Sequence, residues 1–460
     1  MLFPYFDRTR GGGCAPRRGW SAFAFVLVTL IVLASPRPAN AQKDLRKTCD
    51  RDVRFALDAL EEKCAGLIKL KKIDWKKVRK RILKRMKEVK SIDDHHVLLL
   101  GVLAELRDGH ARVKRDDGKI PEVIDASGVV GPGMFWCDAG KKVVVRNAWG
   151  AARSAGLKPG MQVISVGGTP VKKWLEQREA DLRAVRSFST PHHARFHALQ
   201  RGLVAPKGTR MKIKARSMKG KMKTATVVYG RDHAVPFGPA VPPEGLTWAG
   251  KNIAYGKTAR GYGYLHVRRS RPEILAEVDT ALAAIGNVKG MILDYRGNSG
   301  GRFDHNAYLG RFVPEGKKLT FVSKIAGVGP TRYGGPVVVI INATCVSAGE
   351  TGSGMFKEEG RGYVIGESPT AGMSSQKTTI ELPSGRFSLY VSTRSNKAWY
   401  NAKRGLEGVG VIPHETVDLD PADLATGRDT LILRAEVLLK KFPRGKVPYR
   451  PKQFGWREPK

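Results

Sequence analysis

Two short apolar runs constrain this chain more than any other feature. One lies in GMILDYRGNSGG, Gly290 to Gly301, and the other in PVVVIINATCVSAGE, Pro336 to Glu350. Each is brief, unbroken and β-branched, the pattern of a strand buried on both faces. The first opens into paired glycines, which free backbone N–H groups to face a ligand. The second opens into Ser347 and a string of small residues at the start of a helix. A hydroxyl beside a turn with free amides supplies what acyl transfer requires, a nucleophile and an oxyanion hole.

The chain has 460 residues, which suggests two to four domains. Arg17 and Arg18 precede an apolar run from Ala22 to Ala34, and Ala39-Asn40-Ala41 follows as a small-x-small cleavage site. The segment reads as a signal peptide, 1–41, of a periplasmic or secreted protein whose mature chain starts near Gln42. The apolar run is short for a membrane span, and nothing later is long and apolar enough to cross a bilayer. Net charge is +39. The excess is spread along the chain and no nucleic-acid module is visible, so no nucleic-acid partner is expected. Cys49, Cys64, Cys137 and Cys345 remain after cleavage. Cys49 and Cys64 fall on one helix with Val53, Leu57 and Leu60, too far apart to bridge and placed for an apolar stripe. No Cys/His spacing suggests a metal, and no cofactor is expected.

Residues 42–125 read as a helical region. Trp75, Val78, Ile82 and Met86 recur at helical spacing behind Asp74 as N-cap, and a second helix starts at Ser91 with Asp94 three residues on. That helix stops at Asp108-Gly109, and His110 follows on the turn. From 126 to 232 short β runs take over: VVVR, QVISV, MKIKAR and TATVVY. Ala155-Gly156-Leu157, Pro159-Gly160 and Gly167-Gly168 between and after the first two resemble a bacterial PDZ domain, although Met161 stands where an Asp is usual. The resemblance implies capture of a peptide C-terminus by strand addition, with Gly133, Met134 and Phe135 as the binding loop. Residues 240–437 form the α/β segment, and 438–460 a basic tail.

Taken together, LDYRGNSGG, INATCVSAGE, IGESPTAG with Gln376, and EGVGVIP, in this order and behind a PDZ-like segment, resemble the carboxyl-terminal processing (tail-specific) serine proteases, including the tricorn-core-like branch. The resemblance implies a multidomain α+β protein: a helical N-terminal region, a PDZ β-barrel-like domain and an α/β crotonase-like (ββα-spiral) protease core. It implies Ser347 as nucleophile, with an oxyanion hole from Gly300 or Gly301 and Ala348. It implies unfolded or C-terminally exposed polypeptides as substrates.

The base departs from the best-known branch, which places a lysine just after Thr-x-Gly. Met373 or Gly372 stands there, and neither takes a proton; Lys377 falls outside the pattern. The tricorn-like branch uses histidine and a carboxylate, which match His110 in Asp108-Gly109-His110 and Glu407 in LEGVGVIP. His110 would take the proton of Ser347, and Glu407 would orient the ring. Glu350 and Asp108 are the other candidate acids. Two alternatives stand beside this triad. Gly297-Asn298-Ser299-Gly300-Gly301 satisfies the nucleophile-elbow pattern of α/β-hydrolases and resembles that of trypsin-fold proteases, which would make Ser299 the nucleophile, with His414 an available histidine downstream. The missing lysine also fits a catalytically inactive, PDZ-bearing peptide-binding scaffold.

Overall fold

The computed structural model describes residues 39–121, 128–230, 238–319 and 324–441. The expected leader, up to residue 38, and the tail beyond 441 lie outside the described residues.

Four helices, Ala39–Lys63, Ala65–Leu70, Trp75–Arg85 and Ile92–Glu105, form the N-terminal layer. Their starts are fixed locally. Asp74 accepts the N–H of Lys77 at 3.0 Å, and Ser91 accepts that of Asp94 at 3.0 Å. Cys49, Val53, Leu57 and Leu60 lie buried along the first helix, and Cys64 caps the second; both cysteines are free. This layer does not close on itself. Its core continues into Ile380, Phe387, Leu389 and Val391 of a distant hairpin. Strand Arg112–Arg115 completes the join by pairing with Phe387–Ser395, which pairs in turn with Ser375–Glu381.

The PDZ-like segment is a sheet of strands Met134–Ala139, Lys142–Ala148, Gln162–Val166, Arg210–Arg216 and Met222–Val228, in that spatial order. Trp136, Val143, Val145, Val163, Leu175, Ile213 and Val227 fill its interior. Met134 and Phe135, read from sequence as loop, lie on the first strand. Helices Val171–Val185 and Pro191–Leu199, joined by the segment 186–190, lie in the chain between strands Gln162–Val166 and Arg210–Arg216.

The third unit is built on a seven-stranded sheet. Thr247–Trp248, Ile253–Lys257 and Gly263–Val267 run antiparallel. Met291–Asp294, Val337–Ile341, Tyr363–Gly366 and Glu415–Thr416 then add in parallel. Leu293, Val339 and Ile341 face a core with helix Ile274–Ile285, while Ile292, Val338 and Ile340 face one with helix Thr430–Lys441. Cover on both sides is why these strands are apolar without alternation. The last helix carries buried Leu438 and Leu439, so the core extends past residue 437 and the tail begins later than the sequence suggests. Arg296 anchors that helix to the first signature turn: it pairs with Asp294 at 2.6 Å and Asp429 at 3.0 Å, all three buried. Two charges against one satisfy a guanidinium that would otherwise be costly to bury.

Candidate active site

The parallel strands Met291–Asp294 and Val337–Ile341 are neighbours, so the turns after them meet. Asn298 is the hub. Its Nδ2 donates to Val267 O at 2.8 Å, and its carbonyl accepts the N–H of Val346 at 3.0 Å. Gly300 has φ +71°, and a Cβ there would sit 2.8 Å from Ser347 Cβ and 2.9 Å from Val346 O. Glycine is therefore required for two reasons, the left-handed backbone and the close approach. The diglycine turn and the serine are in direct contact, as one scissile carbonyl would need.

Ser347 has φ +56° and ψ −120°, an unusual conformation for a residue with a side chain. It stands at the start of helix Ala348–Glu358, on a sharp strand-to-helix elbow. Such strain costs on the order of 1–3 kcal/mol and persists only where the surroundings enforce it. Glu350 does so here. Its Oε2 accepts the N–H groups of Ser347 and Met373, both at 2.9 Å; its Oε1 accepts Thr370 Oγ1 at 2.6 Å and the N–H of Gly372 at 2.7 Å. Burial pushes this carboxyl up to about 8, while the four donors favour the anion. Glu350 is thus spent on shaping the elbow.

The amide of Ala348 opens the first helical turn, where N–H groups lack intrahelical acceptors and the dipole favours negative charge. The Gly300 amide is not free: it donates to Asn298 Oδ1 at 2.8 Å. A Cβ on Gly301, at φ +146°, would lie 2.0 Å from Ser270 O, so this position also requires glycine.

His110 lies on the turn after helix Ile92–Glu105, shaped by Asp108. One Asp108 oxygen accepts the His110 N–H at 2.9 Å and Ser392 Oγ at 2.7 Å; the other accepts the Ser392 N–H at 2.7 Å. Ser375 Oγ lies 3.3 Å from His110 Nδ1. One atom each from Asp108, His110 and Glu407 falls within 4.8 Å of the others, and all three residues are buried. Glu407 Oε1 accepts Lys71 Nζ and Ser189 Oγ, each at 2.8 Å, whereas Oε2 is buried without a partner. Burial pushes the imidazole of His110 down to about 4, against the opposing pull of Asp108, so the ring is neutral near pH 7. Burial pushes Glu407 up to about 7, against the Lys71 ammonium. The three groups have the composition of a metal site, but of their four carboxylate oxygens only Glu407 Oε2 is without a donor. An ammonium holds one Glu407 oxygen and donors hold both of Asp108, a poor match to a cation.

No hydrogen bond joins Ser347 to His110. Met373 bridges the two halves instead: its N–H rests on Glu350, and its Sδ lies against Gly109, where a Cβ would be 3.0 Å away. The position that would carry a lysine base thus abuts the histidine turn. Lys377 is close enough for its charge to depress His110, and its own pKa is lowered by burial.

Ser299 is exposed, has no positive φ, and is followed directly by the glycines rather than by a helix; its N–H donates to Arg268 O at 3.0 Å. The elbow that its pattern implied is absent. His414 is stacked on Tyr363 and accepts the Val364 N–H at 2.9 Å. Gly133, at φ +77°, packs its Cα against the Trp149 carbonyl, and its own carbonyl accepts the Trp149 N–H at 2.7 Å. Met134 and Phe135 are buried, Phe135 edge-to-face with Trp149 at 5.1 Å. Their strand is an edge of its sheet, as strand addition needs, and Arg195 from helix Pro191–Leu199 pairs with Asp138 near its end at 2.8 Å.

Sequence reasoning did not find Lys71, Ser189 or Ser392, and weighed Ser375 only as a nucleophile without a supporting pattern rather than as a neighbour of His110. Ser189 is the most telling. Its Oγ accepts the Gly109 N–H at 2.8 Å and donates to Glu407. Its neighbours continue the seam: Ser187 Oγ accepts the Asp108 N–H, Thr190 Oγ1 donates to Ala371 O, and His192 Nε2 bonds Thr370 O. The segment between the two PDZ-like helices therefore braces both the histidine turn and the elbow loop.

Residues 261–417 match the family model for peptidase family S41. Over this stretch, about a third of the chain, the sequence is similar to that family. The matched region contains Ser347, the diglycine turn and Glu407, while His110 lies ahead of it. A chloroplastic C-terminal processing peptidase of Tetradesmus obliquus is 25% identical over 309 residues. The match spans 63% of this chain and 59% of that relative's length. Among solved structures, mature CPAF complexed with lactacystin is similar over 86% of this chain and 98% of its own, with a TM-score of 0.60 and 14% identity. Mature CPAF alone gives 0.59 at the same identity, covering 86% and 96%. At such identity the likeness is one of fold.

Proposed function

We propose that this chain is an exported serine endopeptidase of the S41 type that cleaves unfolded or C-terminally exposed polypeptides with a Ser–His–Glu triad. The observation that carries the reading is the pairing of a strained Ser347 elbow, pressed on the diglycine turn, with a buried His110–Glu407 cluster on the adjoining loop. In this reading Ser347 Oγ attacks the scissile carbonyl as neutral His110 takes its proton. The oxyanion is held by the amides of Gly301 and Ala348, at the positive end of a helix. His110 then protonates the leaving amine, and water releases the acyl group by the reverse path. Glu407, fixed through Oε1, offers Oε2 to the imidazolium. The core is read as a crotonase-like ββα-spiral, and the segment 126–232 as a PDZ domain that delivers substrate.

The absence of a Ser347–His110 hydrogen bond favours a second reading, an inactive peptide-binding scaffold. A fluorophosphonate probe separates them. Labelling of wild type that is lost in Ser347→Ala and strongly slowed in His110→Gln supports the triad. A wild type that binds peptide but does not label supports the scaffold. Labelling at Ser299 sinks both.

A further inference from the structure

The strong positive charge is not spread evenly in space. Between residues 204 and 230 there are eight Lys and Arg and no Asp or Glu. This stretch is the hairpin of strands Arg210–Arg216 and Met222–Val228, at the edge of the PDZ-like sheet. Ile213, Ala215, Ala225 and Val227 point inward and are buried. Arg210, Lys212, Lys214 and Arg216 alternate with them and are exposed. Their cross-strand partners are Val228, Thr226, Thr224 and Met222, so the outer face carries a basic row beside a neutral one. Among the described residues, none of the four basic side chains pairs with a carboxylate, and only Arg216 bonds at all, to Met222 Sδ at 3.5 Å. Alternate residues of a strand stand roughly 7 Å apart, so the row is a flat line of charge roughly 20 Å long.

The tip adds a second, apolar feature. Ser217 to Lys221 form a tight turn closed by two backbone bonds and by Ser217 Oγ, which accepts the Lys221 N–H at 3.1 Å. On this rigid turn Met218 is 53% exposed, and Met222 beside it is 39% exposed, with Lys219 and Lys221 flanking them. Apolar side chains held out in water by a firm turn, ringed by ammonium groups, suit an interface in which the methionines enter hydrocarbon and the lysines meet phosphate. No aromatic side chain lies on the outer face, so the stacking platform that single-stranded nucleic acid uses is missing. Among the described residues no helix is long and apolar enough to cross a membrane, so contact would be peripheral.

We infer that the exposed face and tip of the hairpin 210–228 form a docking surface for an anionic phospholipid bilayer. The inference is independent of the catalytic reading.

The test is co-sedimentation of the full chain with vesicles of equal parts phosphatidylglycerol and phosphatidylcholine, against phosphatidylcholine alone. Binding to the anionic vesicles only, weakened by salt, is expected. Each basic residue near such a surface is worth roughly fivefold in partitioning. Lys212→Glu/Lys214→Glu/Arg216→Glu should therefore lower partitioning by about 100-fold or more. Met218→Ser/Met222→Ser should weaken binding while leaving its salt dependence in place. Because every changed side chain is exposed, thermal midpoints should match wild type, and matching midpoints exclude misfolding as the cause. Equal binding to both vesicle types, full binding by the charge-reversed variant, or tighter binding to a single-stranded oligonucleotide than to vesicles would each overturn the proposal.

Discussion

Replacing Glu407 by Gln tests the architecture most sharply, because the structure gives this carboxylate two separable jobs. Oε1 pairs with Lys71, whose side chain is 5% exposed, and Oε2, buried without a hydrogen-bond partner, is the oxygen that the proposed triad assigns to the imidazolium. Removing one partner of a buried ion pair costs about 3–5 kcal/mol because the other charge stays behind. Here the lower end applies, since Lys71 Nζ keeps a bond to Arg107 O at 2.6 Å. A loss of about 3 kcal/mol is expected for Glu407→Gln. Adding Lys71→Met should return most of it. Catalysis should behave differently. Loss of the orienting acid in a hydrolytic triad costs about 10⁴ in turnover, and nothing in the double variant restores that acid. The assay is paired: urea unfolding for stability, and fluorophosphonate labelling with hydrolysis of an unfolded polypeptide for activity. Recovered stability with activity still lost is the expected pattern. If the double variant regains turnover along with stability, Glu407 is a structural anion and its assignment to the triad is wrong.

Three further outcomes follow from the geometry. Gly300→Ala places a Cβ 2.8 Å from Ser347 Cβ at φ +71°, so it should fold with a loss of about 1–2 kcal/mol yet label on the order of 100-fold more slowly, read by melting and labelling rates. Ser189→Ala removes the second donor to Glu407 Oε1 and should slow turnover about tenfold and shift the acid limb of its pH profile, with partial rescue by Thr; an unmoved pH profile would reduce Ser189 to packing. His95 and His96 are buried with no hydrogen-bond partner on either ring nitrogen, and burial pushes both down to about 4, for His95 against the pull of Asp52, 3.9 Å from Nε2. The unfolded chain protonates them below about 6.5 while the native state resists until about 4, so stability is full above the first value and falls toward the second, by on the order of 3 kcal/mol each. Melting scans across this range should show it, and His95→Leu should flatten the slope.

The sequence determined what depends on near neighbours. Unbroken apolar runs marked Ile292 and Val338 as doubly covered strands, Asp74 and Ser91 announced their helices, and paired glycines announced a turn that a side chain would block. The elbow at Ser347 was legible because its small flanking residues are a local requirement. Tertiary structure alone decided who stands beside whom. Lys71 reaches Glu407 across 336 residues and Ser189 reaches it across 218, and neither carries a local mark, since a lysine at a helix end or a serine in a loop is ordinary. Asn298 takes the Gly300 amide, which no motif discloses. The charge on the hairpin 210–228 was visible as composition, but its segregation to one face came from strand register. Backbone preference and burial period act over a few residues and are written there; electrostatic pairing in a closed core is set by topology, which brings together groups that the chain keeps far apart.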